Sequence, residues 1–271
     1  MPAWTTDLIP GPPRIAVDHV GAGPLVIFLH GIGGNRTNWH DQLAEFGAHF
    51  HAVAWDARGY GASDDYDGAL DFGDFAVDMA RVADHFGAAR AHLVGLSMGG
   101  VIAMDFATRY PDRVATLTLC DTMPGFDHLT GAQRREFIRL RQEPLLAGME
   151  PRDIAPIVAK TLLGKAPRPG CFERLVVSMS ALHKESYLKT ITGSVNYARP
   201  LELETIAAPV HIVVGEEDTL TPPAMSIAMV HRILGARMTV IENAGHLSNI
   251  EQPEAFNRAV LGFLLELSDR A

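Results

Sequence analysis

Gly95-Leu96-Ser97-Met98-Gly99-Gly100 lies between an apolar run, Ala91 to Val94, and a helical pattern that continues to Tyr110. The run predicts a buried strand. A Gly-x-Ser-x-Gly between a strand and a helix is the pattern of a nucleophile elbow, a turn so tight that its serine sits in a strained backbone conformation with the hydroxyl raised at the end of a sheet. Gly95 and Gly99 flank the serine because side chains there would meet the neighbouring strand and helix. The bare pattern also occurs in glycine-rich turns that do no chemistry. Its meaning therefore rests on a base, an acid and an oxyanion-binding loop arranged around it in the right order.

Upstream, Leu25 to Leu29 is a continuous apolar run, expected to be a strand buried on both faces. It ends in His30-Gly31-Ile32-Gly33-Gly34-Asn35, a glycine-rich loop that can turn a backbone N–H towards an oxyanion. Arg14 to Val20 alternates as an antiparallel edge strand would. Trp39 to Phe46 has helical spacing, and His51 to Trp55 is a strand leading into Asp56-Ala57-Arg58-Gly59-Tyr60-Gly61-Ala62-Ser63. Apolar residues at 72, 75, 76, 79, 82, 83 and 86 form one helical face, with Gly87 just past its end. Downstream, Pro111 stops the elbow helix and Val114 to Cys120 is a strand. Strands alternating with helices predict an α/β fold, a mostly parallel, doubly wound sheet with helices on both faces.

The alternation breaks after Asp121. From about Met123 to Pro200 the pattern is helical and strand-poor, as in Gln133 to Leu140, Ile154 to Leu163 and Phe172 to Leu182. Strands resume at Val210 to Val214 and Met238 to Ile241, with helices over Pro222 to Leu234 and Pro253 to about Leu267. The expected organisation is a core of residues 1–122 and 201–271 with a helical cap inserted at 123–200. The insertion holds twelve Lys and Arg against seven Asp and Glu, about +5, in a chain whose formal net charge is −9. A cationic cap over an acidic body suggests an anionic ligand. The bland alternative is that Arg134, Arg135, Arg139 and Arg141 form a solvated helix face.

With 271 residues, 47% of them hydrophobic, the chain can bury a large core. The acidic balance argues against a nucleic-acid partner. The start, Met-Pro-Ala-Trp-Thr-Thr-Asp, has neither a basic nor an apolar signal region, and no apolar run reaches membrane-spanning length. Two cysteines, Cys120 and Cys171, suit a reduced protein, and a cytoplasmic location is expected. Oligomeric state is not legible.

Two loops beyond the elbow supply the missing groups. Gly215-Glu216-Glu217-Asp218-Thr219 follows the strand at 210–214, and Gly245-His246-Leu247 follows the strand at 238–241. Both sit past the carboxyl ends of parallel strands, where open sheets bind ligands. A serine needs an imidazole to take its proton, and the imidazole needs a carboxylate to fix its tautomer. Ser97, Asp218 and His246 in that chain order meet the requirement. Glu216, Glu217 and Asp121 compete for the acid role, behind Asp218. The histidines at 19, 40, 49, 51, 92, 128, 183, 211 and 231 fall on strands, helices or the cap, and His30 reads as a structural hydrogen-bonder. No metal or organic cofactor is expected, because the histidines and acids lack ligand spacing.

The five motifs at His30, Asp56–Ser63, Gly95–Gly100, Gly215–Asp218 and Gly245-His246, in this order, resemble the α/β-hydrolase fold family over nearly the whole chain outside the cap. The resemblance implies Ser97 as nucleophile, His246 as base and Asp218 as acid, with the backbone N–H groups of Ile32 and Met98 as oxyanion hole. Within that family, Asp56 to Ser63, Leu117 to Thr122 and His246 to Pro253 are most similar to 3-oxoadipate enol-lactonases. These stretches are shared more loosely by meta-cleavage-product C–C hydrolases, cofactor-free perhydrolases and small esterases. C–C hydrolases tend to carry Gly-Pro after the first His-Gly and an aromatic residue after the catalytic His, where this chain has Gly33-Gly34 and Leu247. Ser97 in place of an Asp nucleophile excludes a dehalogenase. The expectation is a serine hydrolase acting through an acyl-enzyme on a small-molecule ester or lactone, enol-lactone-like and anionic, with C–C or perhydrolase chemistry as alternatives. A ligand receptor on the same fold is the rival from another class.

Overall fold

The computed structural model describes residues 4–126, 129–197 and 199–268, so His128 lies outside the described residues. Its strands are β1 (Thr5–Ile9), β2 (Ile15–Val20), β3 (Leu25–Leu29), β4 (His51–Trp55), β5 (Ala91–Leu96), β6 (Val114–Cys120), β7 (Val210–Gly215) and β8 (Arg237–Ile241). They form one sheet in the order β1-β2-β4-β3-β5-β6-β7-β8. From β4 to β8 every pairing is parallel, and β1 and β2 run antiparallel at one end. The helices of this body are α1 (His40–Phe46), α2 (Asp74–His85) and α3 (Met98–Arg109). After an insertion come α8 (Pro223–Arg232), α9 (Ser248–Glu251) and α10 (Pro253–Ser268). Strands β3 and β5 are buried along their whole length, as continuous apolar runs require when helices cover both faces. None of the described helices is long and apolar enough to cross a membrane.

One expectation changes. Arg14 to Val20 is antiparallel but not an edge: Thr5–Ile9 pairs along its outer side, and Ile15 to Asp18 are buried. The outer strand, Thr-Thr-Asp-Leu-Ile, is mostly polar and carries no apolar alternation to announce it. Buried Asp18 accepts from the guanidinium of Arg36 at 2.9 Å and from Thr6 at 2.7 Å. The Asp56–Ser63 motif is structural stitching. Asp56 accepts from the backbone of Arg36 and Ala62, both at 2.7 Å. Arg58 reaches buried Asp78 on α2 at 2.6 Å.

Between β6 and β7 the chain forms α4 (Gly131–Leu146), α5 (Pro151–Leu162), α6 (Cys171–Ser180) and α7 (Lys184–Val195). Helix α5 packs on α6 and α4 packs on α7. The fourth helix, Lys-Glu-Ser-Tyr-Leu-Lys-Thr-Ile-Thr-Gly-Ser-Val, is rich in β-branched residues and lacks a clear stripe, so periodicity did not disclose it. Several cations of the insertion bolt it to the acidic body. Arg174 donates to Asp41 at 2.6 Å, His183 lies 2.9 Å from Asp65, and Lys165 lies 3.4 Å from Glu217. Part of the positive charge of the insertion is thus spent on the body rather than facing a ligand.

Strand β3 has β4 on one side and β5 on the other, so the chain reverses its direction of winding there. A crevice opens outside the carboxyl ends of strands at such a switch point. The two loops that border it are those beginning at His30 and at Ser97.

Candidate active site

Ser97 connects β5 to α3 with φ 53° and ψ −117°, a conformation that L side chains seldom adopt. Its backbone N–H donates to Cys120 O at 2.9 Å, and its carbonyl accepts from Thr122 Oγ1 at 2.6 Å. The turn depends on close approach. A Cβ on Gly99 would lie 2.1 Å from the carbonyl oxygen of Leu29, and one on Gly95 would lie 2.3 Å from that of Gly99. Both obstacles are backbone, which cannot swing aside. Gly99→Ala is therefore expected to cost at least about 3 kcal/mol, read as a loss of thermal stability. Gly262→Ala on α10, where a Cβ meets nothing within 4 Å, should instead gain up to about 1 kcal/mol.

Asp218 sits in the loop after β7 and is fully held. Its Oδ1 accepts from the backbone N–H groups of Leu220 at 2.8 Å and Thr221 at 3.0 Å. Its Oδ2 accepts from Thr221 Oγ1 at 2.6 Å and lies 2.8 Å from His246 Nδ1. A carboxylate with these partners only accepts, so the proton of the neutral imidazole is on Nδ1 and Nε2 keeps its lone pair. Burial alone would raise Asp218, but the His246 hydrogen bond and charge, with the Thr221 donors, bring it below the usual carboxylate range. Burial alone would lower His246. The hydrogen bond and charge of Asp218, reinforced by Asp121 and Glu251, outweigh it and hold the imidazole above its ordinary value.

The rival acids lie elsewhere. Asp121, after β6, accepts from Gly215 N at 2.7 Å and from the hydroxyl of Ser248, and it makes no hydrogen bond to His246. Burial, then the charge of Asp218, pushes it up to about 7. Glu216 accepts from Asn243 N at 3.3 Å. Glu217 accepts from Lys165 N at 2.6 Å, on the insertion. His30 is buried, with Nδ1 2.9 Å from Gly31 O and Nε2 accepting from Ala57 N at 3.0 Å. The two ring nitrogens are thereby used, which ties the glycine-rich loop to the end of β4.

The insertion fastens directly onto the histidine loop. The backbone N–H of His246 donates to Leu162 O at 2.8 Å. Buried Glu251 accepts from Gly164 N at 2.8 Å and from Gly245 N at 3.0 Å. None of these three bonds was legible in the sequence. The support from Thr221 was: an Asp followed three residues later by Thr is a side-chain-to-backbone turn signal.

Ser97, His246, Ile32 and Met98 all line one cavity of about 370 Å³, a volume suited to a small ligand. Met98 opens α3, whose first N–H groups have no acceptor within the helix. Phe126, Phe137, Val158, Leu175 and Met179 of the insertion segment make most of the upper wall, and the lining is mainly apolar. Among the described lining residues there is no carboxylate and one guanidinium, Arg141. Burial lowers Arg141 from its ordinary value, partly offset by nearby Tyr187. Among the described residues, no group of three or more His, Cys, Asp or Glu could hold a metal ion.

A sequence profile of the alpha/beta hydrolase family matches residues 26–259. The chain belongs to this family. It is 27% identical to 3-oxoadipate enol-lactonase 2 of Acinetobacter baylyi over 244 residues, 88% of this chain and 87% of that protein. It is 29% identical over 265 residues to the 2-hydroxy-6-oxononadienedioate/2-hydroxy-6-oxononatrienedioate hydrolase of Burkholderia vietnamiensis, 93% of this chain and 91% of that one. Among solved structures, a malate-bound thermophilic esterase from Thermogutta terrifontis superposes with a TM-score of 0.87 at 28% identity, covering 98% of this chain and 99% of that one. Hydrolases with different named substrates therefore resemble this member of the family to a similar degree.

Proposed function

We propose that this alpha/beta hydrolase cleaves a carboxylic ester or lactone through an acyl-enzyme on Ser97, with an anionic small molecule as substrate. The observation that carries the reading is the buried His246–Asp218 pair, whose imidazole opens onto the same apolar cavity as Ser97. His246 Nε2 takes the Ser97 proton as Oγ attacks the carbonyl carbon. The oxygen of the tetrahedral adduct receives the backbone N–H groups of Ile32 and Met98; one such donor is worth roughly 3 kcal/mol of barrier. The imidazolium, steadied by Asp218, then gives its proton to the departing alkoxide. Water, deprotonated by His246 in turn, releases the acid and restores Ser97. Residues 123–200 act as a cap that keeps bulk water off the acyl-enzyme. No step calls on a cofactor. The unpaired buried thiols of Cys120 and Cys171 accord with a cytoplasmic setting.

The named activity of the Acinetobacter baylyi relative and the malate bound to the Thermogutta terrifontis esterase, a hydroxy-dicarboxylate, both support an acidic substrate. The Burkholderia vietnamiensis relative supports C–C cleavage, against which stand Gly33-Gly34 and Leu247. A fluorophosphonate tests the chemistry directly. Stoichiometric inactivation should add one phosphonyl group to the peptide bearing Ser97, and pre-incubation with a slow ester should protect against it. Hydrolysis that persists after full reaction, or an adduct on another residue, would overturn the reading.

A further inference from the structure

Helix α4 carries two arginines with opposite fates. Arg139 is exposed and pairs with Glu136 at 2.8 Å and with Glu143. Arg141, two positions on and so turned to the other side of the helix, lines the cavity. Among the described residues it has no carboxylate partner. Its guanidinium lies 3.4 Å from the centroid of the Phe137 ring, and among the described residues its hydrogen bond is to Phe137 O at 3.3 Å. A guanidinium half-buried in a cavity wall is ordinarily paired with an anion. Here it keeps only a ring face and a carbonyl.

A second polar group on the same wall is also unmatched. Ser194 of α7 is 7% exposed and lines the cavity, and among the described residues its Oγ has no hydrogen-bond partner. It stands two helical turns beyond Tyr187, another lining residue, on one face of α7. The α4–α7 side thus offers a cation with no anionic partner among the described residues, and a hydroxyl with no hydrogen bond among them. The α5–α6 side offers Val158, Leu162, Leu175 and Met179. The cavity is divided into a cationic wall and an apolar wall, with Ser97 below.

We propose that Arg141 is the residue that selects the substrate: its guanidinium receives a carboxylate on one arm of an ester or lactone, and an apolar arm lies along the α5–α6 wall. The substrate class is then a half-ester of a diacid or a carboxylate-bearing lactone, not a neutral ester. A carboxylate matches the planar fork of the guanidinium with two parallel hydrogen bonds and supplies the charge the cavity lacks. This rests on Ser97 cleaving an ester, but recognition of the carboxylate is separable from that chemistry.

The test compares 4-nitrophenyl hydrogen adipate with 4-nitrophenyl hexanoate, which share a leaving group and a six-carbon acyl chain and differ in the terminal carboxylate. In Arg141→Gln the ratio of the two kcat/KM values should fall at least about 30-fold, the loss lying mainly in KM for the half-ester. Arg141→Lys should recover part of it, since the charge remains and the fork does not. Arg139→Gln, on the exposed side, should leave the ratio unchanged. Calorimetric binding of adipate, which involves no bond cleavage, should weaken by a similar factor in Arg141→Gln. A ratio and an adipate affinity that both stay within about twofold of wild type would overturn the proposal. Adipate binding that depends on Arg141 in a protein that hydrolyses neither ester would sustain the carboxylate site and sink the hydrolase reading instead.

Discussion

Ser97→Ala should lower kcat for an activated ester by about five to six orders of magnitude, leaving only the acceleration due to binding and the oxyanion donors. The loss belongs to one atom. The Ser97 backbone holds the turn through Cys120 O and Thr122 Oγ1, and neither bond uses the side chain. Alanine keeps those contacts and the same positive φ, so its melting temperature should stay close to that of the wild type. Ser97→Gly should be as inactive but more stable by roughly 1 kcal/mol, because φ 53° with ψ −117° costs a glycine little. That pairing would show a residue kept for reactivity against local stability. Steady-state kinetics with thermal unfolding checks both, and near wild-type hydrolysis by Ser97→Ala would remove the acyl-enzyme.

Asp218→Asn should cost about four orders of magnitude in kcat. The amide would keep its oxygen on the Leu220 and Thr221 N–H groups and point its NH2 at His246 Nδ1. Nδ1 must then accept, the ring proton moves to Nε2, and no lone pair remains to take the Ser97 proton. The pH profile carries the same prediction. In the proposed mechanism His246 is the neutral base, so kcat/KM should fall as pH drops through its pKa, which burial lowers but Asp218 restores above the ordinary histidine value. The acidic limb of the wild type should therefore lie above about pH 6.5, and residual activity in Asp218→Asn should persist to lower pH. Asp121→Asn separates the two candidate acids. Asp121 holds Gly215 and Ser248 rather than the imidazole, so the cost should stay within about tenfold. Reversed magnitudes would reverse the assignment.

Where local pattern and final environment coincide, the elements follow from the sequence. His51–Trp55 and Val114–Cys120 are read to the residue, because an apolar run buried on both faces has no face to misjudge. Thr5–Ile9 escaped because a polar edge strand owes its existence to the neighbour it pairs with. Lys184–Val195 escaped because half of the residues it buries, Ser186, Thr190 and Ser194 among Tyr187, Ile191 and Val195, are hydroxylic and small, which breaks any apolar stripe. Of the candidate site, the loops at 30–34, 97–98, 218 and 246 were legible because each is a short motif tied to a strand end. The bonds that tie Glu251 to Gly164 and His246 to the Leu162 carbonyl were not, since each joins the loop to a residue more than eighty positions back in the chain.

The sequence alone determined the order of the candidate nucleophile, acid and base and the strand ends that carry them. These are local facts, written in glycines and in the apolar runs beside them. It did not determine what faces Ser97. Four arginines on α4 carry one charge type and similar spacing. Only folding turned Arg139 towards Glu136 and solvent and Arg141 into the cavity. Side chains two apart on a helix point to opposite sides, and which side meets the body is set by how α4 packs on α7. On the proposed function, the short motifs carry the bond-breaking groups, and the packing of the insertion decides which side chains face a substrate.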